Sequence, residues 1–278
     1  MHAGIKSVLK KWGFYHPLHN SYRAVITLLK KQYLRLRYYK YSGSGYTCNC
    51  CGHLYTKMHA WQPAAADTAA LQQYKVIAGY GENIICPWCL STARERLVIA
   101  MMQGVDFAGK KVLHLSPEPK VHAWLKNKTS VTTADLEPGF YKLIDANVQA
   151  ADATALPYAA ESFDWIIANH ILEHISADTV AMQECYRVLK KEGHAVLQVP
   201  YSTTIANTLE EPGIEDAARQ AALFGQKDHV RIYQLQDYIN RLIKVGFTVQ
   251  FISYSQLQQF YKYAIQQDEG FLIIQKPA

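Results

Sequence analysis

The stretch from Val112 to Arg187 constrains this chain more than any other part of it. An apolar run, Val112-Leu113-His114-Leu115, passes into Ser116-Pro117-Glu118-Pro119. A second run, Val131-Thr132-Thr133-Ala134-Asp135, ends on a carboxylate. Ala151-Asp152-Ala153-Thr154-Ala155-Leu156-Pro157-Tyr158 follows, and then the run from Ser162 to His174. From about residue 93 onward, short apolar strands alternate with helical patterns, which predicts βαβ units and a parallel sheet. In the next helix Ser176 is the expected cap and Ala181, Cys185, Val188 and Leu189 share a face. Lys190 and Lys191 close it before Gly193. Cys185 therefore reads as a small core residue. Ala195 to Pro200 is the next expected strand. A helix near Leu235 to Lys244 and strands Val249 to Tyr254 and Phe271 to Gln275 complete the sheet.

Hydrophobic residues make up 49% of the chain, enough to bury a core. The net charge of +6 is unevenly spread: ten of the 29 basic residues precede Asp67, while all 23 acidic ones lie at or after it. The first 45 residues or so read as a basic extension of two short amphipathic helices. Ile5, Val8, Leu9 and Trp12 share one face; Val25, Leu28, Leu29 and Leu36 share the second, beside Lys30, Lys31, Arg35 and Arg37. Ser42-Gly43-Ser44-Gly45 reads as a flexible break. No secretory leader is recognisable and no apolar run approaches the ~20 residues of a membrane span. A cytoplasmic, reducing location is expected, which makes the six cysteines metal ligands or thiols rather than disulfides.

Two Cys-x-x-Cys pairs, Cys48 to Cys51 and Cys86 to Cys89, stand 34 residues apart. Each turn offers two thiolates to one ion, and two such turns brought together form a zinc ribbon with a closed, structural site. Gly52 sits where the first turn needs a positive φ. The expected Zn2+ ligands are Cys48, Cys51, Cys86 and Cys89, with Cys50 as an alternative to one of its neighbours.

The strand succession resembles class I S-adenosylmethionine-dependent methyltransferases, in a methyltransferase type 11-like subgroup. The resemblance covers roughly residues 46 to 250. It rests on the Ser116-Pro117-Glu118-Pro119 loop, the preceding double Cys-x-x-Cys element, Arg94-Glu95-Arg96, and Phe224-Gly225-Gln226-Lys227-Asp228-His229-Val230-Arg231. It implies an α/β fold: a Rossmann-like seven-stranded methyltransferase sheet with helices on both faces, behind a small zinc-binding element and the basic helical extension. The expected boundaries are 1–45, 46–92 and 93–278.

The cofactor implied is S-adenosyl-L-methionine, bound at the carboxyl ends of the strands. Asp135 is placed to accept both ribose hydroxyls. Asp152 would accept from the adenine amine, with Ala153 supplying a backbone N–H and Leu136 and Leu156 enclosing the ring. His114, Ser116, Glu118 and Asn169 complete the expected cofactor set. His114 stands where the family has an acid, and the loop lacks the family's glycines. Glu118 reads equally as a helix N-terminal acid.

Methyl transfer from a sulfonium needs donor and acceptor held in line, and a base for a weakly acidic acceptor. His170 and His229 are the expected catalytic groups, and His174, Arg231 and Tyr233 the expected acceptor contacts. The resemblance implies an O or N acceptor on a small molecule or glycan. The alternative reading is an RNA methyltransferase that uses the basic front, with Tyr33, Tyr38, Tyr39 and Tyr41, to hold phosphates and bases. The same front also reads as an element for an anionic membrane surface, at the inner face of the membrane, or as a helical pair packed on the domain. A third reading is a protein that holds the cofactor without turnover.

Overall fold

A computed structural model describes residues 15–278. The expected helix carrying Ile5, Val8, Leu9 and Trp12 lies outside the described residues. The front of the described chain holds α1 (Tyr15–Arg37), β1 (Ser42–Thr47), β2 (Leu54–Tyr55), β3 (His59–Trp61), α2 (Ala65–Gln73) and β4 (Gly81–Ile85). Then come α3 (Ala93–Met102), β5 (Lys111–Leu115), α4 (Pro119–Leu125), β6 (Ser130–Asp135), β7 (Gln149–Ala150), β8 (Phe163–Ile167), α5 (Asp178–Val188) and β9 (Leu189–Val196). An insert carries β10 (Tyr201–Ser202), β11 (Leu209–Glu210), α6 (Ala217–Phe224) and β12 (Arg231–Gln234). Helix α7 (Leu235–Val245), β13 (Thr248–Ile252) and β14 (Phe271–Gln275) complete the fold.

Seven strands form the central sheet in the order β13-β14-β9-β8-β5-β6-β7. Strands β7, β6, β5, β8 and β9 run parallel, and β14 lies antiparallel between β9 and β13. Alternate side chains feed two cores. Leu113, Ile166, Ala195 and Ile274 face one side with Ala181 and Cys185 of α5 and Leu242 of α7. Val112, Ile167 and Val196 face the other, against Leu97 and Met102 of α3 and Val121 of α4. This is the expected doubly covered sheet, and its strands are apolar on both faces for that reason. Leu113 is fully buried, so Leu113→Ala costs about 2–5 kcal/mol.

Four local expectations are corrected. Ser176 is not the cap: α5 begins at Asp178 with Ala177 at its N-cap, and Ser176 Oγ instead accepts from the Gly213 N–H at 3.1 Å. Lys190 and Lys191 lie in β9, because Leu189 already pairs with Phe163 and the chain leaves the helix at Val188. That strand ends at Val196, so Leu197 to Pro200 lie beyond it. The Ser42–Gly45 segment is part of β1 and pairs with β2 through an irregular register. Gly45 has φ +91°, and a Cβ there would stand 2.7 Å from the Tyr55 carbonyl, so its glycine serves a close backbone approach.

Arg96 ties the front of the chain to the sheet. It is fully buried on α3 and donates to the carbonyls of Asn83, Ile84, Ser91, Tyr263 and Ala264. One charged side chain thus anchors β4, the second cysteine turn and the segment before β14.

Candidate active site

Strand β5 pairs with β6 on one side and β8 on the other, so the chain reverses direction in the sheet there. A crevice opens at the carboxyl ends of such strands. Four segments leave the sheet at that edge, and they carry Ser116, Asp135, Asp152 and Asn169-His170.

Ser116, Asp135, Leu136, Asp152 and Ala153 line one cavity of about 80 Å³, together with Leu115, Ile171 and Ile175. Ser116 adopts φ +45°, the left-handed geometry that a glycine would otherwise supply. Its hydroxyl donates to Asp135 Oδ2 at 2.5 Å, while the Glu137 N–H donates to Asp135 Oδ1 at 2.7 Å. The N–H and hydroxyl of Thr154 both donate to Asp152 Oδ1, which holds that carboxyl below its ordinary value. Leu156 is not at the cavity: it is buried in the core, where its N–H donates to Glu184. Ile171 and Ile175 take the place expected of it.

The other expected cofactor residues form the layer behind. His114 is buried, which lowers its imidazole to about 4, and its Nε2 accepts from the Glu118 N–H at 3.2 Å. It orients the loop from beneath rather than lining the cavity. Glu118 occupies the N-cap of α4, but its side chain does not bond the helix. Its carboxylate takes Arg94 Nε at 2.9 Å and Asn169 Nδ2 at 2.7 Å. Asn169 Oδ1 is left without a partner, as is Oε2 of the buried Glu269, whose carboxyl burial pushes up to about 7. Arg94 and Glu269 escaped the sequence reading of the site. Arg94 was legible only as part of the Arg94-Glu95-Arg96 motif, and Glu269 sits beyond the matching region with no pattern around it.

On the far side of the turn 170–175 lies a second cavity of about 230 Å³, lined by His170, Glu173, His174, His229, Arg94 and Tyr80 among others. The turn partitions the two: Ile171 and Ile175 face the first cavity, His170, Glu173 and His174 the second. His170 holds φ +54°, a strained setting for a non-glycine residue that recurs at functional sites. Its Nδ1 lies 3.2 Å from Glu173 Oε1, and His229 Nε2 lies 4.0 Å from the same oxygen. The His174 and His229 rings meet edge to face at 4.7 Å. Glu173 is 1% exposed, and neither carboxylate oxygen receives a hydrogen bond. Burial pushes its carboxyl up, the adjoining imidazoles pull it down, and the balance leaves it ionised. Burial lowers His170 and His229 below the ordinary histidine value.

Arg231 and Tyr233 do not reach either cavity, contrary to expectation. Arg231 is 1% exposed on β12; it pairs with Glu210 at 3.0 Å and donates to the carbonyls of Leu172, Ile175 and Ser176. Tyr233 is fully buried and donates to Asp178 at 2.7 Å. Both hold the partition turn from behind.

The sulfurs of Cys48, Cys51, Cys86 and Cys89 lie within 4.8 Å of one another. Cys48–Cys89 is 3.6 Å and Cys51–Cys86 3.8 Å, near the about 3.8 Å edge of a tetrahedron with Zn–S bonds of about 2.3 Å. The two turns are alike: Gly52 N–H donates to Cys48 O and Leu90 N–H to Cys86 O, at φ +77° and +64°. Cys50 stands outside the four and packs beside them.

Residues 104–197, spanning β5 to β9, match the sequence family described as a methyltransferase domain. This supports a methyltransferase. No curated protein matches the chain. Among solved structures, the chain is similar to the YcgJ protein of Bacillus subtilis, at 15% identity over 66% of this chain and 98% of that one, with a TM-score of 0.46. It is similar to an S-adenosylmethionine-dependent methyltransferase of Mesorhizobium loti, at 15% identity over 65% and 95%, TM-score 0.46. It also resembles a Haemonchus contortus phosphoethanolamine N-methyltransferase in complex with S-adenosyl-L-methionine, at 15% identity over 68% and 53%, TM-score 0.46. Likenesses of this size say nothing about substrate.

Proposed function

We propose that this chain is an S-adenosylmethionine-dependent methyltransferase acting on an O or N acceptor of a small-molecule or saccharide-type substrate. One observation carries the reading: successive strand ends bring Ser116, Asp135 and Asp152 onto one cavity, with a histidine-carboxylate cluster just across a single turn. The bound cofactor supplies a methyl group already activated on a sulfonium. Asp135, oriented by Ser116, accepts from the ribose hydroxyls. Asp152 keeps one oxygen for the adenine amine, Ala153 offers its N–H, and Leu136, Ile171 and Ile175 flank the ring. Arg94 suits the methionine carboxylate. The unpartnered acceptors Asn169 Oδ1 and Glu269 Oε2, with Glu118, suit its ammonium. Across the partition, His170 and His229 are the groups available to take the acceptor's proton, and His174 borders the acceptor. Incubation with labelled S-adenosylmethionine and a cell extract is expected to release S-adenosylhomocysteine. Cofactor binding without any release would leave a non-catalytic binder.

The four cysteines are read as the ligands of a structural Zn2+, which closes the front element and leaves no open coordination position. Purified protein is expected to hold this zinc, lost on Cys48→Ser; a metal-free, folded protein would end that reading.

Helix α1 favours a lipid surface over RNA. Among the described residues no helix is long and apolar enough to cross a membrane. Yet Leu18, Tyr22, Val25, Leu28, Leu29 and Leu36 are exposed on α1, the last at 80%, beside Arg23, Lys30, Lys31, Arg35 and Arg37 and no acid. Tyr33 and Tyr39 are exposed and able to stack on bases, but aliphatic side chains cannot. An apolar stripe with basic flanks suits an anionic bilayer interface. Retention on phosphatidylserine vesicles that Val25→Glu abolishes supports this; retention on RNA alone would reverse it.

A further inference from the structure

We propose that Glu173, His174 and His229 form a second metal site, for a divalent first-row transition cation that ligates an oxygen-bearing acceptor. Its sense as an acceptor site rests on the methyl-transfer reading; its existence as a cation site does not.

The described residues compensate the burial of Glu173 only weakly: His170 Nδ1 lies 3.2 Å from Oε1 outside hydrogen-bond geometry, and Oε2 has no partner. An ionised carboxylate removed from water costs several kcal/mol unless a cation or hydrogen-bond donors compensate. Here neither oxygen accepts a hydrogen bond, and the side chain is 1% exposed. The one guanidinium at the cavity, Arg94, is already committed to Glu118 at 2.9 Å. The groups that do face Glu173 are imidazoles: His170 at 3.2 Å, His229 at 4.0 Å, and His174.

One potential ligand atom from each of Glu173, His174 and His229 lies within 4.8 Å of the other two. Ligands around a cation with bonds of about 2.1 Å stand roughly 3.0–3.5 Å apart, so small side-chain rotations close the set. Two imidazoles and a carboxylate suit zinc, cobalt, iron or manganese; magnesium and calcium prefer oxygen throughout. Three protein ligands leave positions open. Those positions face a cavity of about 230 Å³, which admits a chelating acceptor such as a hydroxyl beside a second hydroxyl or a carbonyl. A hydroxyl bound to such a cation loses its proton near neutral pH. His170, beside the three ligands, is placed to receive it.

This site differs from the cysteine cluster in ligand chemistry, and a spectroscopic probe tells them apart. Full-length protein holding one zinc per chain at the cysteine cluster and freed of further metal, titrated with Co2+ without cofactor, is expected to bind one Co2+ with weak visible d–d bands and no sulfur charge-transfer band. Glu173→Gln and His229→Gln should each weaken that binding at least tenfold, as should the partly exposed His174→Ala, which is the safest for folding. Asp135→Ala should leave it unchanged while lowering cofactor affinity. Absence of Co2+ binding to the folded protein, or binding that survives all three variants, would overturn the site. Cofactor titration of the same samples reports separately on the methyl-transfer reading.

Discussion

The two cavities on either side of the turn 170–175 are built in opposite ways. The two carboxylates that line the cofactor-side cavity are held: Asp135 by Ser116 and the Glu137 N–H, Asp152 by both donors of Thr154. In the acceptor-side cavity the carboxylate of Glu173 is deeply buried and accepts no hydrogen bond. A site whose groups are tied before binding is preorganised for one ligand. A site with an unsatisfied buried charge is incomplete until something positive arrives. The contrast supports the proposal that the first cavity serves recognition and the second chemistry.

The largest expected effect separates these roles. His229→Ala should lower turnover by about 10²–10⁴-fold, whether the imidazole takes the proton itself or holds the cation that activates the acceptor, while cofactor affinity in calorimetry stays as in the parent protein. Unchanged turnover would remove His229 from the site and weaken the contrast.

Arg231 sharpens it from behind. Its guanidinium satisfies three carbonyls around the partition turn and pairs with Glu210. Arg231→Met is expected to cost about 3–5 kcal/mol of stability, as breaking a buried ion pair does. The cost should show as a lower urea midpoint, whatever acceptor is supplied. A stable variant with a specific loss of acceptor affinity would return Arg231 to the cavity.

A smaller effect is expected under the first loop. Burial lowers His114 from its ordinary 6.5 to about 4. The unfolded chain therefore takes up a proton between these values that the folded chain refuses, and stability falls as pH drops from 6.5 towards 4. Above 6.5 this contribution is flat. The slope from one such group is at most about 1.4 kcal/mol per pH unit. His114→Gln should flatten the dependence by up to that amount between pH 4 and 6.5. An unchanged slope would show that His114 is not protected.

The cofactor side was the more legible of the two in sequence, for a physical reason. Asp135 directly ends an apolar strand and Asp152 closely follows another, and strand ends in a parallel sheet converge on one edge. Ser116 could be located but not its geometry, because a left-handed serine looks like any other in sequence. The acceptor side joins the 170–174 turn to His229 across an insert of small strands, so proximity depended on how β12 packs. That packing also explains why Arg231 and Tyr233 read as acceptor contacts: they follow His229 closely in sequence, yet β12 buries them both. Arg94 and Glu269 reach the site from outside the strand pattern, and nothing local announces them. The front glycines read as flexible because pairing with β2 is a long-range fact.

The central claim is that the cavity at Ser116, Asp135 and Asp152 binds S-adenosylmethionine. Calorimetric titration of the zinc-assayed protein, beside its Asp135→Ala variant, tests it most directly. Micromolar binding by the parent is expected, with a loss of about 10–100-fold in the variant, the worth of charged hydrogen bonds of about 1.5–3 kcal/mol. No binding by either protein, or equal binding by both, would contradict it.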